Sequence, residues 1–143
     1  MIVCQEFEEK YVEQVSSLLS QLGYNVNVDE LPDRIKSIRE NNKGTVLLAI
    51  EEEKVVGCIH TMVVSRLAEG TCGEVVSLVV DESMRGKGIG KFLLEESIKW
   101  LKERGQTKVR IRCNTIRDEA HKFYSHLGYS EKKSQKVFEK IFD

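Results

Sequence analysis

The stretch EVVSLVVDESMRGKGIGK, residues 74–91, decides how the rest of the chain is interpreted. Its apolar run at 75–80 predicts a buried strand, and after a short polar turn the run RGKGIG at 85–90 opens a predicted helix. Alternating glycines leave backbone N–H groups unshielded, and a helix N-terminus adds unpaired donors with a partial positive charge. The stretch therefore predicts a phosphate-binding turn between a strand and a helix.

Two widespread phosphate-binding patterns do not fit this turn. A P-loop needs a hydroxyl residue after its Gly-Lys pair, but Gly90-Lys91 is followed by Phe92. The dinucleotide pattern GxGxxG fails as well, because the three glycines run as GxGxG. A glycine-rich turn that merely joins a strand to a helix remains the structural alternative.

The composition is that of an ordinary soluble protein. With 143 residues, 41% of them hydrophobic and 31% charged, the chain is expected to form one domain spanning 1–143. The sequence has neither a membrane-length apolar run nor the basic and apolar regions of a signal peptide. Its four cysteines are scattered without a CxxC pair, which indicates reduced thiols and argues against a zinc site. We expect a cytoplasmic protein without a metal, and without nucleic-acid or membrane partners.

The net charge of -1 hides a division along the chain. Residues 1–81 carry 14 acidic and 7 basic side chains, whereas residues 82–143 carry 9 acidic and 15 basic ones. This division suits a polyanionic cofactor held by the second half and a cationic acceptor facing the first half. Uneven scatter of surface charges by chance is the alternative.

Apolar periodicity and turn residues predict the order of the elements. The predicted elements are a strand at 2–6, a helix at 8–22, a helix capped by Asp29, strands at 44–50 and 55–64, a loop at 65–73, the strand at 75–80, a helix at 89–104, a strand at 107–114, a helix capped by Thr115, and a strand at 133–142. Glu95 and Lys99 are expected to pair on the outer side of the third helix. This order predicts an α/β fold, a mixed sheet with helices on both faces.

A second pattern lies about thirty residues after the glycine turn. It reads Arg117-x-x-Ala120-His121-x-Phe123-Tyr124-x-x-Leu127-Gly128-Tyr129. Together the two patterns resemble the GNAT family of N-acetyltransferases, and the resemblance extends over nearly the whole chain. The residues of the second pattern are most similar to those of bacterial members that act on small amines, aminoglycosides or aminoalkylphosphonates. The resemblance implies a mostly antiparallel central sheet with helices on both faces and a splayed central strand pair. It also implies acetyl-CoA as the acetyl donor.

The resemblance assigns a set of residues to coenzyme A. The backbone of Leu78, Val79 and Val80 is expected to meet the acetyl carbonyl and the pantetheine amides. The pyrophosphate is expected at the glycine turn, on Arg85, Gly86, Lys87, Gly88, Ile89, Gly90 and Lys91. Many family members have Asn where Arg117 stands, so whether Arg117 or Asn114 contacts coenzyme A stays open.

Two residues are candidates for catalysis by the same resemblance. Glu74 would act as the base, directly or through a water molecule, with a surface glutamate at a strand end as the alternative. Tyr124 would protonate the leaving thiolate, with a core aromatic residue as the alternative. Neither Cys72 nor Cys113 has a local histidine partner, which favours direct attack over an acyl-cysteine.

Together the residues and the resemblance predict a cytoplasmic, bacterial N-acetyltransferase that transfers acetyl from acetyl-CoA to a primary amine of a small molecule in a ternary complex. Two alternatives remain at this point: acetylation of a protein or peptide, and a coenzyme-A-binding module without catalysis. A homodimer formed through the last strand is also left open.

Overall fold

The computed structural model describes residues 1–113 and 118–142 of the chain. The chain divides into two compact units, Met1–Arg112 and Cys113–Asp143. The expectation of one domain over 1–143 stays a prediction. In the part of the chain that the structure describes, no helix is both long and apolar enough to cross a bilayer.

The first unit is built on a five-stranded sheet. Its elements are β1 (Ile2–Glu6), α1 (Val12–Gln21), α2 (Leu31–Arg39), β2 (Gly44–Glu51), β3 (Lys54–Arg66), β4 (Gly70–Val80), α3 (Ile89–Glu103) and β5 (Val109–Ile111). The strands lie in the order β1-β2-β3-β4-β5. The first three pairings are antiparallel and β4 with β5 is parallel, which confirms a mixed, mostly antiparallel sheet.

Alternate side chains along β3 point to opposite faces of the sheet, and each face carries helices. Cys58 joins the apolar core that α1 and α2 form on one face, together with Val15 and Ile35. On the other face, a Cβ at Gly57 would lie 2.9 Å from Leu93 Cδ1 of α3. The absence of a side chain at Gly57 therefore lets α3 pack closely on the sheet.

The central strands β4 and β5 stay together over a short distance only. They pair from Gly73↔Val109 to Val75↔Ile111, and β4 then runs on to Val80 without β5 beside it. This separation agrees with the splayed strand pair that the family resemblance implied. It leaves one edge of the second half of β4 without a partner strand among the described residues.

The prediction of a loop at 65–73 is wrong. β3 continues through Arg66 and β4 begins at Gly70, so that only 67–69 forms a turn. The Gly73 N–H also donates to the Lys108 carbonyl at 2.9 Å. Pairing with strands on both sides thus imposes extended structure on a segment whose own sequence lacks clear alternation.

Other boundaries also differ from the expectations. β5 covers Val109–Ile111 rather than 107–114. Helix α2 begins at Leu31 with Glu30 at its N-cap and no side-chain cap, so Asp29 does not cap it. On α3, Lys99 pairs with Glu96 at 3.4 Å instead of with Glu95, because residues three apart also share a helix face.

The second unit contains one described helix, α4 (Asp118–His126). Gly128 has φ 95° and ends it, with the Tyr129 N–H donating to the Tyr124 carbonyl at 3.0 Å. The expected cap at Thr115 lies outside the described residues. The rings of Phe123 and Tyr129 meet the Tyr124 ring edge-on, with centroids 5.2 and 6.0 Å away.

The prediction of a final strand at 133–142 is also wrong. Residues 130–142 form neither helix nor strand, and the side chains of their apolar residues are 85–90% exposed: Val137, Phe138, Ile141 and Phe142. These residues fall in two adjacent pairs rather than at every second position. A strand built from them would place apolar side chains on both of its faces, and no described strand pairs with it.

Candidate functional site

The glycine turn connects β4 to α3 in the first unit. Asp81 Oδ1 accepts hydrogen bonds from the Ser83 N–H at 3.0 Å and the Ser83 hydroxyl at 2.9 Å, which starts a short 3-10 turn. Gly86 and Gly88 follow with φ 79° and 81°, a left-handed conformation that favours glycine. Gly88 is the N-cap of α3, and its carbonyl accepts the first helical bond, from the Phe92 N–H at 3.0 Å.

This turn fits a phosphate group by its donors and its charge. The N–H groups of the first helical residues, 89–91, precede the first helical bond and have no acceptor within α3. A Cβ added at Gly86 or Gly88 would meet nothing within 4 Å, so the turn is open to solvent. The first turn of α3 contains no acidic residue, so no carboxylate competes with an anion there.

Three basic residues surround the open turn: Arg85, Lys87 and Lys91. All three are exposed. Arg85 Nε donates to the Val80 carbonyl at 3.4 Å, which is a weak bond. Their charges therefore remain available to an incoming polyanion.

The unpaired edge of β4 lies directly before this turn. Leu78, Val79 and Val80 pair on one side with β3, opposite Ile59, Cys58 and Gly57. Among the described residues no strand pairs with their other side. This edge can offer backbone N–H and C=O groups to an extended ligand that ends at the glycine turn.

Glu74 lies in the middle of β4 rather than at its start. It is only 5% exposed, so it is not the surface residue of the alternative reading. Its Oε1 accepts from Arg66 Nη2 at 2.9 Å, and its Oε2 accepts from Arg112 Nε at 3.1 Å. The two guanidiniums supply the charge-assisted hydrogen bonds that a buried carboxylate needs.

A third guanidinium lies beside this carboxylate. Arg110 is the cross-strand neighbour of Glu74 on β5 and forms an ion pair with Glu69. Its side chain is 15% exposed, and its buried Nε has no hydrogen-bond partner among the described residues. We call Arg66, Arg110 and Arg112 the arginine cluster. The cluster is thus a charged and partly buried site beside Glu74.

Sequence reasoning missed the arginine cluster for an identifiable reason. The sequence predicts a loop at Arg66, and it does not indicate that β5 lies next to β4 rather than next to another strand. The alternation of Lys108, Arg110 and Arg112 with apolar residues is the only signal in the sequence that could have pointed to it.

A partly buried histidine lies on the same face of the sheet as Glu74. This residue, His60, lies two residues from Met62 on β3, and Met62 pairs with Glu74. The side chains of positions 60 and 62 therefore point to the same face as Glu74. The Nε2 of His60 is buried without a hydrogen-bond partner among the described residues. Burial lowers the pKa of His60, and the charge of Glu74 opposes this effect.

Tyr124 lies on α4, in the second unit. Burial raises the pKa of its hydroxyl to about 12, with smaller contributions from Cys113 and Tyr129. The phenol is therefore protonated throughout the neutral range and can serve as a proton donor. The two candidates for a contact with coenzyme A, Asn114 and Arg117, lie outside the described residues.

Comparison with known proteins identifies the class to which this fold and site belong. The sequence profile described as "Acetyltransferase (GNAT) family" matches residues 7–129. The chain therefore belongs to the GNAT family and is an acetyltransferase. That family uses acetyl-CoA as its acetyl donor.

Two relatives and one solved structure are similar to this chain over much of its length. Glucosamine 6-phosphate N-acetyltransferase of Arabidopsis thaliana is 32% identical over 133 residues, which cover 88% of this chain and 86% of that protein. Aminoalkylphosphonate N-acetyltransferase of Salmonella typhimurium is 33% identical over 85 residues, 59% of this chain and 55% of that protein. The aminoglycoside N-acetyltransferase AAC(6')-Iy in complex with CoA superposes with a TM-score of 0.86 at 15% identity, covering 98% and 95% of the two chains. At that identity the superposition establishes the fold alone.

Proposed function

We propose that this protein transfers an acetyl group from acetyl-CoA to the primary amine of a small molecule by direct attack. The observation that carries the proposal is the buried carboxylate of Glu74 on the strand that leads into the glycine turn. One continuous stretch of the first unit thus provides a proton acceptor, an unpaired strand edge and an anion-binding helix start. Relatives whose names specify glucosamine 6-phosphate and aminoalkylphosphonates support a small amine as the acceptor.

The chain's own residues would bind acetyl-CoA in an extended arrangement. The edge of β4 at Leu78, Val79 and Val80 would bind the amides of pantetheine and orient the acetyl carbonyl. The open turn, with the N–H groups of residues 89–91 and the charges of Arg85, Lys87 and Lys91, would hold the pyrophosphate. Acetyl-CoA supplies the activated acetyl thioester, and binding both reactants together lowers the barrier through proximity, by up to roughly 7–11 kcal/mol.

Glu74 would remove the proton from the attacking amine, directly or through one water molecule. A free alkylamine has a pKa near ~10.4 and is almost wholly protonated at neutral pH, so a base is required. Although both carboxylate oxygens already accept a hydrogen bond from an arginine, each oxygen has a second acceptor site for the ammonium or for water. Tyr124, whose phenol is protonated at neutral pH, would give its proton to the leaving thiolate.

A thiol-release assay and a binding titration test this proposal. Thiol release from acetyl-CoA is measured against polyamines, aminoglycosides, aminoalkylphosphonates, amino sugar phosphates, amino acids and short peptides. A parallel titration follows the thermal stability of the protein with coenzyme A. Turnover with a small amine supports the proposal, and turnover with peptides alone supports the protein-acetylating alternative.

The variant Tyr124→Phe separates catalysis from binding. We expect its kcat to fall by about 10²-fold or more, with the affinity for coenzyme A nearly unchanged, because only the proton donor is lost. The matched variant Tyr24→Phe alters an exposed tyrosine and should keep full activity. Coenzyme A binding without turnover of any amine would favour the non-catalytic module.

A further inference from the structure

We infer that the arginine cluster binds an anionic group of the acceptor, a phosphate or a phosphonate carried by the same molecule as the amine. This inference rests on the proposed function, because it concerns the acceptor of that same site. It narrows the acceptor from amines in general to compact molecules that carry both a cationic and an anionic group.

The cluster concentrates hydrogen-bond donors that suit an anionic ligand. Its three guanidiniums form ion pairs with Glu69 and Glu74 among the described residues. Each guanidinium has five N–H donors in a planar fork that suits the oxygens of a phosphate or phosphonate.

The buried Nε of Arg110 is the second observation that points to a ligand. It has no hydrogen-bond partner among the described residues although it is inaccessible to solvent. Leaving a charged donor buried and unpaired is costly, and buried donors are therefore nearly always satisfied. An anion at the cluster would supply the missing acceptor. The side chains of Arg66 and Arg112 remain 28% and 45% exposed, which gives a solute a route to the cluster.

The strand register places the anion site next to the candidate base. Met62 pairs with Glu74, and Glu74 pairs with Arg110, so these three side chains share one face of the sheet. Arg66 is four residues along β3 from Met62 and points to that face as well. Neighbouring side chains on one face lie roughly 5 Å apart, so the amine and the anionic group must be separated by only a few bonds.

Glu69 competes with the ligand for Arg110. It lies in the turn between β3 and β4, and its side chain is 28% exposed. An anionic acceptor that binds Arg110 must displace this carboxylate. The cluster therefore predicts an unusual effect: removing a charge at Glu69 should tighten the binding of the ligand.

Calorimetric titration tests the inference without relying on turnover. The protein is first saturated with coenzyme A, which occupies the glycine turn. It is then titrated with 2-aminoethylphosphonate, with glucosamine 6-phosphate, and with their uncharged counterparts ethylamine and glucosamine. We expect the phosphonate or the phosphate to bind at least about tenfold more tightly than its counterpart, and the better of the two identifies the anionic group. Equal binding within both pairs, or no binding of any of the four, would overturn the inference.

Variants assign the binding to the cluster. Arg110→Gln and the more exposed Arg66→Gln should each weaken binding of the anionic ligand about 10- to 100-fold, the loss of a charge-assisted hydrogen bond. Arg34→Gln removes an exposed arginine of α2 and serves as the matched control. Glu69→Gln should strengthen binding. If both cluster variants bind like Arg34→Gln, the cluster is only a structural ion-pair network.

Different experimental outcomes would contradict this inference and the proposed function. If coenzyme A itself does not bind in the first step, the proposed function is wrong whatever the anion does. If coenzyme A binds and simple amines are acetylated as fast as phosphorylated ones, the enzyme assignment stands and the arginine cluster does not select the acceptor.

Discussion

At the scale of single residues, Glu74 shows how a charge is accommodated inside the sheet. Its carboxylate is almost fully buried, and each of its oxygens is bound by a different guanidinium. Such a group is expensive to bury, and its two partners on β3 and just beyond β5 compensate for the lost hydration. The same arrangement fixes the carboxylate in one orientation, which a base needs.

Replacing Glu74 by Gln tests whether this carboxylate is the base. Glutamine keeps the shape of the side chain but cannot take up a proton, so we expect kcat to fall by about 10²- to 10⁴-fold. Coenzyme A affinity should change little, because the glycine turn is untouched. Steady-state kinetics and a coenzyme A titration measure the two effects. The exposed Glu95→Gln on α3 is the control, and a Glu74→Gln enzyme with normal kcat would remove Glu74 from the mechanism.

His60 makes a prediction about stability and pH. Its pKa is lowered by burial, so the unfolded chain binds a proton more readily than the folded protein does. The free energy of unfolding should therefore decrease as the pH falls through the ordinary value of 6.5. Urea unfolding at pH 7.5 and pH 5.5 measures this loss.

The variant His60→Gln should show a smaller loss of stability between those two pH values. The exposed histidine of α4 provides a matched variant, His126→Gln, which should keep the dependence of the wild type. If His60→Gln and the wild type lose the same free energy, the burial of His60 does not govern the acid response.

At this scale, the sequence indicated the candidate residues but not the side chains that contact them. It singled out Glu74 and Tyr124 only through a family resemblance, and it placed Glu74 at a strand start where the structure has a strand interior. It could not find the partners of Glu74, because Arg66 and Arg112 lie 8 and 38 positions away in the chain and meet it only through sheet pairing. Contacts between strands depend on register, which one sequence does not specify.

At the scale of elements, the glycine turn was the most predictable part of the site. Its conformation depends on local backbone geometry, which the glycines themselves determine: Gly86 and Gly88 adopt left-handed angles, and α3 begins directly afterwards. The strands were less predictable, since the ends of β4 and β5 are set by their neighbours. Local structure could thus be predicted from local sequence, whereas strand ends could not.

Two matched glycines allow the turn to be tested. Gly88 at the start of α3 and Gly105 after its end both have positive φ, 81° and 78°, and a Cβ at either would meet nothing within 4 Å. Alanine should therefore strain both backbones similarly, by about 1 kcal/mol. Only Gly88→Ala should weaken coenzyme A binding, by about tenfold or more. Thermal unfolding and calorimetry measure the two effects, and equal coenzyme A affinities would argue against a phosphate site at the turn.

At the scale of the whole molecule, the order of the elements sufficed to predict the fold class. The five strands and the helices on both faces of the sheet follow that prediction. The last predicted strand failed, because the exposed apolar pairs at 137–138 and 141–142 give no single apolar strand face. A homodimer through the last strand stays a prediction, and the described residues at 133–142 form no strand that could pair in it.

The uneven distribution of charge leads to the last prediction. Residues 82–143 carry 15 basic and 9 acidic side chains, and the glycine turn lies in this part of the chain with Arg85, Lys87 and Lys91 exposed. Exposed charges are screened by salt over about 8–10 Å at physiological ionic strength. The affinity for coenzyme A should therefore fall steadily between 0.05 and 1 M salt, by about tenfold or more. Pantetheine lacks the phosphates and serves as the control ligand, whose affinity should not fall. If coenzyme A and pantetheine respond to salt in the same way, the charge division reflects chance scatter, and the backbone donors at the start of α3 alone must hold the pyrophosphate.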